Sequence, residues 1–332
     1  MNKNPEEKIT TICGCPEQPD TWIYQIGDNG VYVREAHIDS VTPGRKKTEI
    51  VQITDIHLNY VNSEDEEDEE VMYTKQCRKW NADGISVTAL AKAMDYAKGY
   101  DRTVITGDVL DYLSCGAIEL MQKYIWDVDS ECIVAIGGHD ITKQMQTRLP
   151  DKLPLEERQK IVQSAWKHDI FYHSEVINEN VMIIQLDNGC RRYWDFQIPK
   201  LEADLRKARE NGYTVLIFQH EAISTLKEED KEYPSFYVWQ DCGPTENFYD
   251  NCVGHESISD EATMTVYKLI TGNADIIRGL FCGHYHTSFY MEVEGSYVDE
   301  NGNTHKKSIP QYVLECNVYD DYKGHVLKIT VE

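Results

Sequence analysis

Short β-type runs alternate with amphipathic segments through most of this chain. Five runs stand out: Ile50-Val51-Gln52-Ile53-Thr54, Thr103-Val104-Ile105-Thr106, Cys132-Ile133-Val134-Ala135-Ile136, Val215-Leu216-Ile217-Phe218 and Ile276-Ile277-Arg278-Gly279-Leu280-Phe281. Their β-branched and apolar content favours strands. Between them, apolar residues recur at helical spacing. Val87, Leu90, Met94 and Ala97 make one face, and Ile198, Leu201, Leu205 and Ala208 another, with Pro199 near its start and Asn211-Gly212 as a stop. Ile161, Val162, Ala165 and Trp166 make a third, and Ala262, Val266, Leu269 and Ile270 a fourth. Strand and helix thus alternate from about residue 49 to residue 282. The pattern predicts a mostly parallel sheet with right-handed crossovers and helices on its faces.

The two ends read differently. Residues 21–34 carry two alternating runs around Gly27-Asp28-Asn29-Gly30, which predicts a β-hairpin extending one sheet edge. After His286 the helical pattern stops, and 287–295, 309–319 and 324–331 read as strands joined by turns such as Asn301-Gly302-Asn303. No repeat or linker divides the chain. Residues 1–48, with the hairpin, are expected to join 49–332 in one domain. The run Ser63-Glu64-Asp65-Glu66-Glu67-Asp68-Glu69-Glu70 holds seven acids and reads as a solvated loop that does not pack; gathering cations near a site is its alternative role. Residues 221–258 are the least regular stretch, a natural place for substrate selection at a site's rim.

Composition narrows the partners. A formal charge of -24 over 332 residues argues against a nucleic-acid surface, which needs Lys and Arg to neutralise phosphates. No apolar run approaches the ~20 residues of a membrane span, and Met1–Lys8 has no apolar core of a secretory signal. Cys132 and Cys282 lie inside apolar runs, as free buried thiols do, and Cys13-Gly14-Cys15 reads as two unpaired thiols. A reducing, cytoplasmic setting is expected.

The chemistry lies where the β-type runs end. Asp55-Ile56-His57, Gly107-Asp108-Val109-Leu110-Asp111, Gly137-Gly138-His139-Asp140, His220-Glu221 and Gly283-His284-Tyr285-His286 each follow one of the five runs. In an open α/β sheet the carboxyl ends of parallel strands share an edge, so such residues can converge. Carboxylate with imidazole suits Mn, Fe, Zn or Ni better than Ca or Mg. Asp55 with His57, and His284 with His286, stand two apart, which on extended backbone points both side chains one way.

In order and content these five stretches resemble the calcineurin-like metallophosphoesterases, which read D-x-H, G-D-x-x-D/N, G-N-H-D/E, a lone His and G-H-x-H. The likeness runs from Asp55 to His286. It implies an α/β fold of two packed mixed sheets flanked by helices, a four-layer αββα arrangement. It also implies two divalent metal ions and hydrolysis of a phosphate mono- or diester by attack of a metal-bound hydroxide, with a small-molecule phosphate ester as substrate. By resemblance, Asp55, His57, Asp108 and His286 hold one ion, and Asp108, His220 and His284 the other, with Asp108 as the bridge. His139 acts on the substrate, and Asp140 orients its ring. Asp111 is expected to support a ligand or cap a helix.

One position departs. Where the family has Asn, this chain has Gly138, so the second ion lacks a donor. A water, another side chain or a weakened site are the three outcomes left open. Asn188, in Leu186-Asp187-Asn188-Gly189, is the candidate replacement, and Arg191 a candidate substrate contact, though Arg191 and Arg192 also read as surface charges. Two other functions stay open: a phosphodiesterase acting on cyclic nucleotides, and a non-catalytic metal-binding module that keeps the fold.

Overall fold

The computed structural model describes residues 25–26, 30–78, 84–144, 151–223, 260–286, 288–317 and 323–332. In chain order its first half gives strands β1 (Gln25–Ile26), β2 (Tyr32–Ile38) and β3 (Thr48–Ile53), then helices α1 (Glu69–Cys77) and α2 (Ile85–Ala97). Strand β4 (Arg102–Thr106), helix α3 (Cys115–Met121), strand β5 (Ile133–Ala135) and helix α4 (Leu155–Ala165) follow. The second half gives β6 (Tyr172–Ile177), β7 (Val181–Leu186), α5 (Ile198–Asn211), β8 (Thr214–Phe218), α6 (Glu261–Thr271) and β9 (Ile277–Cys282). It closes with β10 (Phe289–Val293), β11 (Ser296–Val298), β12 (Thr304–Lys306), β13 (Ile309–Val313) and β14 (His325–Val331).

The strands form two six-stranded mixed sheets, ordered β1-β2-β14-β3-β4-β5 and β10-β13-β9-β8-β7-β6, with β11-β12 as a separate ribbon. In the first sheet β3, β4 and β5 are parallel, and in the second β7, β8 and β9 are. The last strand, β14, returns to the middle of the first sheet, antiparallel to β3 and parallel to β2. Alternate residues of each strand face opposite ways, and the two cores follow from that. Ile50, Val104, Leu216, Phe218, Phe281, Leu327 and Ile329 fill the space between the sheets. Phe218, Phe281 and Tyr312 stack there, with centroids 4.9 and 5.2 Å apart. Val51, Ile53 and Ile105 turn outward against Leu90, Met94 and Val162 of the helices on one side. Val215, Ile217 and Leu280 meet Leu201, Leu205, Val266 and Ile270 on the other. The fold is therefore four-layered, two mixed sheets flanked by helices. Gln52 ties the sheets together: its amide Nε2 donates to Cys282 O at 3.0 Å and Thr106 Oγ1 at 2.9 Å.

Several details differ from the sequence reading. The acidic run is packed in part: Glu64, Glu66, Glu67 and Glu69 are exposed as expected, whereas Asp65, Asp68 and Glu70 have fixed partners. Asp68 caps α1 by accepting from Glu70 N and Val71 N, and Lys143 Nζ pairs with it at 2.6 Å. Asp65 is 3% exposed and accepts from Cys115 N, Gly116 N and Asn62 N, which seats the start of α3. Carboxylates at helix starts meet unpaired N–H groups and the positive end of the helix dipole, so two acids of the run, Asp68 and Asp65, are taken up by the starts of α1 and α3. On α4 Val162 is buried but Ile161 is 37% exposed, so the third apolar face is narrower than expected. Strand β1 does pair antiparallel with β2 at a sheet edge; the turn residues 27–29 lie outside the described residues, as do Cys13, Cys15 and 224–259.

Candidate metal centre

The candidate ligands and the candidate catalytic His139 all leave the carboxyl ends of parallel strands: Asp55 and His57 after β3, Asp108 after β4, His139 after β5, His220 after β8, and His284 and His286 after β9. The two sheets bring these ends together. His57 Nε2 lies 2.9 Å from His286 Nε2 and 3.8 Å from Asp55 Oδ1, and His286 Nε2 lies 3.2 Å from Asp55 Oδ1. Asp108 Oδ2 lies 3.2 Å from His220 Nε2 and 4.0 Å from both His57 Nε2 and His139 Nε2. His284 Nδ1 lies 3.2 Å from His220 Nε2. Asp108 is thus the carboxylate that faces both groups.

The backbone there is unusual. Of eight non-glycine residues with positive φ among the described residues, five are Asp55, His57, Asp108, His284 and His286, with φ between 49° and 74°. A sixth is Arg191. This corrects the expectation of extended backbone at the two chelating pairs. Left-handed backbone costs roughly 1–2 kcal/mol per residue, and strain of this kind gathers at functional sites. Here it curls each strand end inward so that neighbouring side chains converge. Glycine permits the crowding: a Cβ on Gly137 would stand 2.2 Å from Asp108 Oδ1, and one on Gly283 2.4 Å from Asp55 Oδ2.

The back of each ring fixes its front. His220 Nδ1 faces Thr106 O at 2.8 Å, and a carbonyl only accepts, so Nδ1 carries the proton and Nε2 presents a lone pair to Asp108. His139 Nδ1 faces Asp111 O at 2.8 Å in the same way. His57 Nδ1 lies 3.3 Å from Asp111 Oδ1, leaving Nε2 toward the centre. Asp111 is itself gripped by Arg78, Nε at 2.8 Å from Oδ2 and Nη2 on Oδ1, and by Asn59 Nδ2 at 2.8 Å. Burial works to raise the Asp111 carboxyl, yet His57 and Arg78 hold it down at about 2.

Lone pairs on nitrogens and carboxylate oxygens crowding one another repel unless a proton or a metal cation lies among them. Donors bound ~2.0–2.2 Å from one ion stand roughly 3–4 Å apart, the range seen here. Asp55 Oδ1 is buried and accepts no hydrogen bond among the described residues, although it faces His286 and His57. The donor atoms of Asp55, His57 and Asp108 lie within 4.8 Å of one another, as do those of Asp108, His220 and His284. The residues fit a pair of divalent cations sharing Asp108.

Two expected roles look different in place. Asp140 does not orient the His139 ring. Its Oδ1 accepts from Leu110 N at 2.8 Å and its Oδ2 from Gly137 N at 2.7 Å. It braces two loops, and burial with the nearby Asp108 pushes it up to about 7. The Asp111 carbonyl orients the ring instead. Asn188 spends its amide on the chain: Oδ1 accepts from His220 N and Glu221 N, and Nδ2 donates to Glu221 O. Gly138 has φ -64°, and a Cβ there would meet only Gly189 O at 3.4 Å. Arg191 reaches the site's rim, Nε 3.2 Å from Glu221 Oε1 and Nη2 3.3 Å from His284 Nε2, whereas Arg192 stacks 4.1 Å over the Trp194 ring.

Three neighbours of the centre carried no role in the sequence reading. Cys316 donates Sγ–H to Asp55 O, and its sulfur lies within 4.8 Å of donor atoms of His57 and His286; no motif surrounds it. Arg78 ends α1, a helix concealed by its acidic start. Glu221 stood beside His220 with nothing in the pattern to assign it.

No protein-family model and no curated protein sequence matches the chain. Among solved structures, the chain is similar to a dimetal phosphatase from Danio rerio, at 12% identity and a TM-score of 0.43, covering 85% of this chain and 91% of that one. It is also similar to a purple acid phosphatase from yellow lupin seeds, at 12% identity and a TM-score of 0.44, covering 92% and 48%. A calcineurin-like phosphoesterase from Bacillus subtilis aligns at 12% identity and a TM-score of 0.33, covering 73% of each. The chain is similar to solved metallophosphatases. Likeness this remote leaves its chemistry to be read from its own residues.

Proposed function

We propose that the protein is a metal-dependent phosphoesterase, a hydrolase that cleaves a P–O bond of a small phosphate mono- or diester at a two-ion centre. The convergence of Asp55, His57, Asp108, His220, His284 and His286, with ring nitrogens and carboxylate oxygens facing one another, carries this reading. Asp55, His57, Asp108 and His286 would hold one ion, and Asp108, His220 and His284 the other. Such ions supply positive charge for phosphate oxygens and acidify bound water. Imidazole with carboxylate favours Mn, Fe, Zn or Ni.

His139 is the group left to handle protons. Burial holds its ring down at about 4, so it is neutral near pH 7. Its Nδ1–H is committed to Asp111 O, and its Nε2 is turned toward Asp108. That nitrogen can take a proton from the nucleophile and later pass it to the leaving oxygen. The chain's -24 charge offers an anionic substrate little general attraction, so binding would rest on local cations. Arg191 at the rim is one.

Metal analysis of the purified protein, with a panel of mono- and diesters, tests the reading. Two equivalents of a transition metal and chelator-sensitive hydrolysis are expected, both lost in Asp108→Ala. Full occupancy and turnover in that variant would overturn the shared-carboxylate assignment.

A further inference from the structure

The second ion's group lacks a side chain at position 138, and behind His284 stand two charged residues, Glu221 and Arg191, that the motifs do not include. Glu221 is fixed at the end of β8. Its carbonyl accepts from Asn188 Nδ2 and Gln219 Nε2, both at 2.8 Å, and its N–H donates to Asn188 Oδ1 at 2.9 Å. Its side chain is 3% exposed. One oxygen, Oε1, accepts from Arg191 Nε at 3.2 Å. The other, Oε2, accepts no hydrogen bond among the described residues and lies 3.4 Å from His284 Nε2.

A buried carboxylate oxygen left without a donor is destabilising by about 1–3 kcal/mol or more, so its lone state needs a reason. His284 supplies one. Arg191 Nη2 lies 3.3 Å from His284 Nε2, and a guanidinium only donates, so that contact requires Nε2 to be bare. The proton then sits on Nδ1, which faces His220 Nε2 at 3.2 Å. In this tautomer His284 donates to His220 and offers a metal nothing. In the other tautomer the proton sits on Nε2 and faces Glu221 Oε2, and Nδ1 turns its lone pair to the centre beside His220 Nε2 and Asp108.

We propose that Glu221 is a positioning residue that selects this second tautomer, making His284 a ligand when the second ion binds. The inference rests on the two-ion reading. The proton leaves Nδ1 and one arrives on Nε2 through solvent, which reaches the 24%-exposed side chain; the ring stays neutral throughout. Oε2 is kept without a donor until that proton arrives. Arg191 Nη2 must turn from the ring once Nε2 is protonated, while Arg191 Nε keeps its hold on Oε1 and so aims Oε2 at the ring. A carboxylate behind a ligating imidazole also raises its basicity, and removing such a partner typically lowers metal affinity about 10–100-fold. At a subsite with three protein donors, that gain stands in for the absent fourth.

The test uses the full chain, ¹⁵N-labelled at histidine, titrated with Zn²⁺. Long-range ¹H–¹⁵N spectra distinguish the two tautomers. We expect His284 to carry its proton on Nδ1 in chelator-treated protein and on Nε2 after the second equivalent. Glu221→Leu should weaken the second equivalent about 10–100-fold and leave the first unchanged, with Glu221→Gln intermediate. His284 keeping its Nδ1 proton with two ions bound would overturn the inference without any variant. Unchanged second-ion affinity in a folded Glu221→Leu would overturn it too, and both results would leave the two-ion reading standing. Failure of the unaltered chain to bind Zn²⁺ would overturn both.

Discussion

Two adjacent glycines make opposite demands, and substituting each with alanine tests how the site is packed. A Cβ at Gly137 would stand 2.2 Å from Asp108 Oδ1, 2.8 Å from Asp108 N and 2.8 Å from His220 Nε2. Carbon and its non-bonded neighbours settle near 3.5–4.0 Å, so Asp108 Oδ1 would have to retreat by roughly 1 Å or more. It cannot do so freely, because Oδ1 accepts from His139 N at 3.0 Å. Overpacking of this kind is destabilising by about 1–3 kcal/mol, and here the displaced atoms belong to the shared carboxylate and to His220. Gly138 has ordinary helical backbone at φ -64°, and its Cβ would touch only Gly189 O at 3.4 Å. Alanine there should stabilise by about 0.4–1 kcal/mol, because it restricts the unfolded chain without strain. Gly138→Asn should also fold, and it should tighten the second ion, since Asn188 is committed elsewhere. Urea denaturation gives the stabilities, and metal titration of chelator-treated protein gives the affinities. A Gly137→Ala variant as stable and as metal-competent as the unaltered chain would refute the reasoning.

His139→Ala should lower turnover about 10²–10⁴-fold while retaining bound metal; loss of metal by elemental analysis would make the ring a ligand. Asp65→Ala should lower stability by about 1–3 kcal/mol, because three backbone N–H groups lose their acceptor; an unchanged urea midpoint would return the acidic run to solvent. Glu315 is buried, and although burial works to raise it, His325 and Arg34 hold it at about 2, against an ordinary 4.5. A carboxyl lowered in the folded state contributes stability that is complete above about 4.5 and lost as pH falls toward about 2. That is on the order of 3 kcal/mol, and Glu315→Gln should remove this part of the acid dependence in denaturation curves recorded across that window.

The positions that were plain in the sequence share one property: each is local. β3, β4, β8 and β9 are short apolar runs, and the candidate ligands at their ends stand within five residues of the last strand position. What the sequence concealed depends on contacts between distant segments. The acidic run looked solvated throughout because its charges are counted along the chain, whereas Asp65 finds two of its three donors 50 and 51 residues away. Asp140 looked like the partner of its neighbour His139, but the ring reaches Asp111 O, 28 residues back. Asn188 had the right type at a strand end, yet its amide is spent on His220 and Glu221. Left-handed backbone at five non-glycine candidate ligands could not be read at all, since local preference argues against it and only the assembled edge imposes it.

That imposed strain bears on how the centre and the fold sustain each other. Five strained residues, and an Asp55 Oδ1 and a Glu221 Oε2 that accept no hydrogen bond among the described residues, are concentrated at one edge. Each feature is unfavourable in the metal-free chain, and bound cations would relieve the electrostatic part. A ligand that binds only the native state stabilises by about 2.7 kcal/mol at a hundredfold excess over its Kd, so two ions together would add roughly 5 kcal/mol. Mn²⁺ is the better probe, because an unfolded chain with ten cysteines offers soft thiols that would capture Zn²⁺ and offset the gain. Thermal unfolding in chelator and in excess Mn²⁺ should therefore differ by many degrees. Asp108→Asn should lose most of that difference, since a neutral amide replaces the carboxylate that would serve both ions. The Glu221→Leu variant should lose part of it, having kept the ion held by Asp55, His57 and His286. Equal melting temperatures for the unaltered protein in chelator and in Mn²⁺ would mean that the converging donors are satisfied by protons alone, and that the strain at this edge serves something other than a metal.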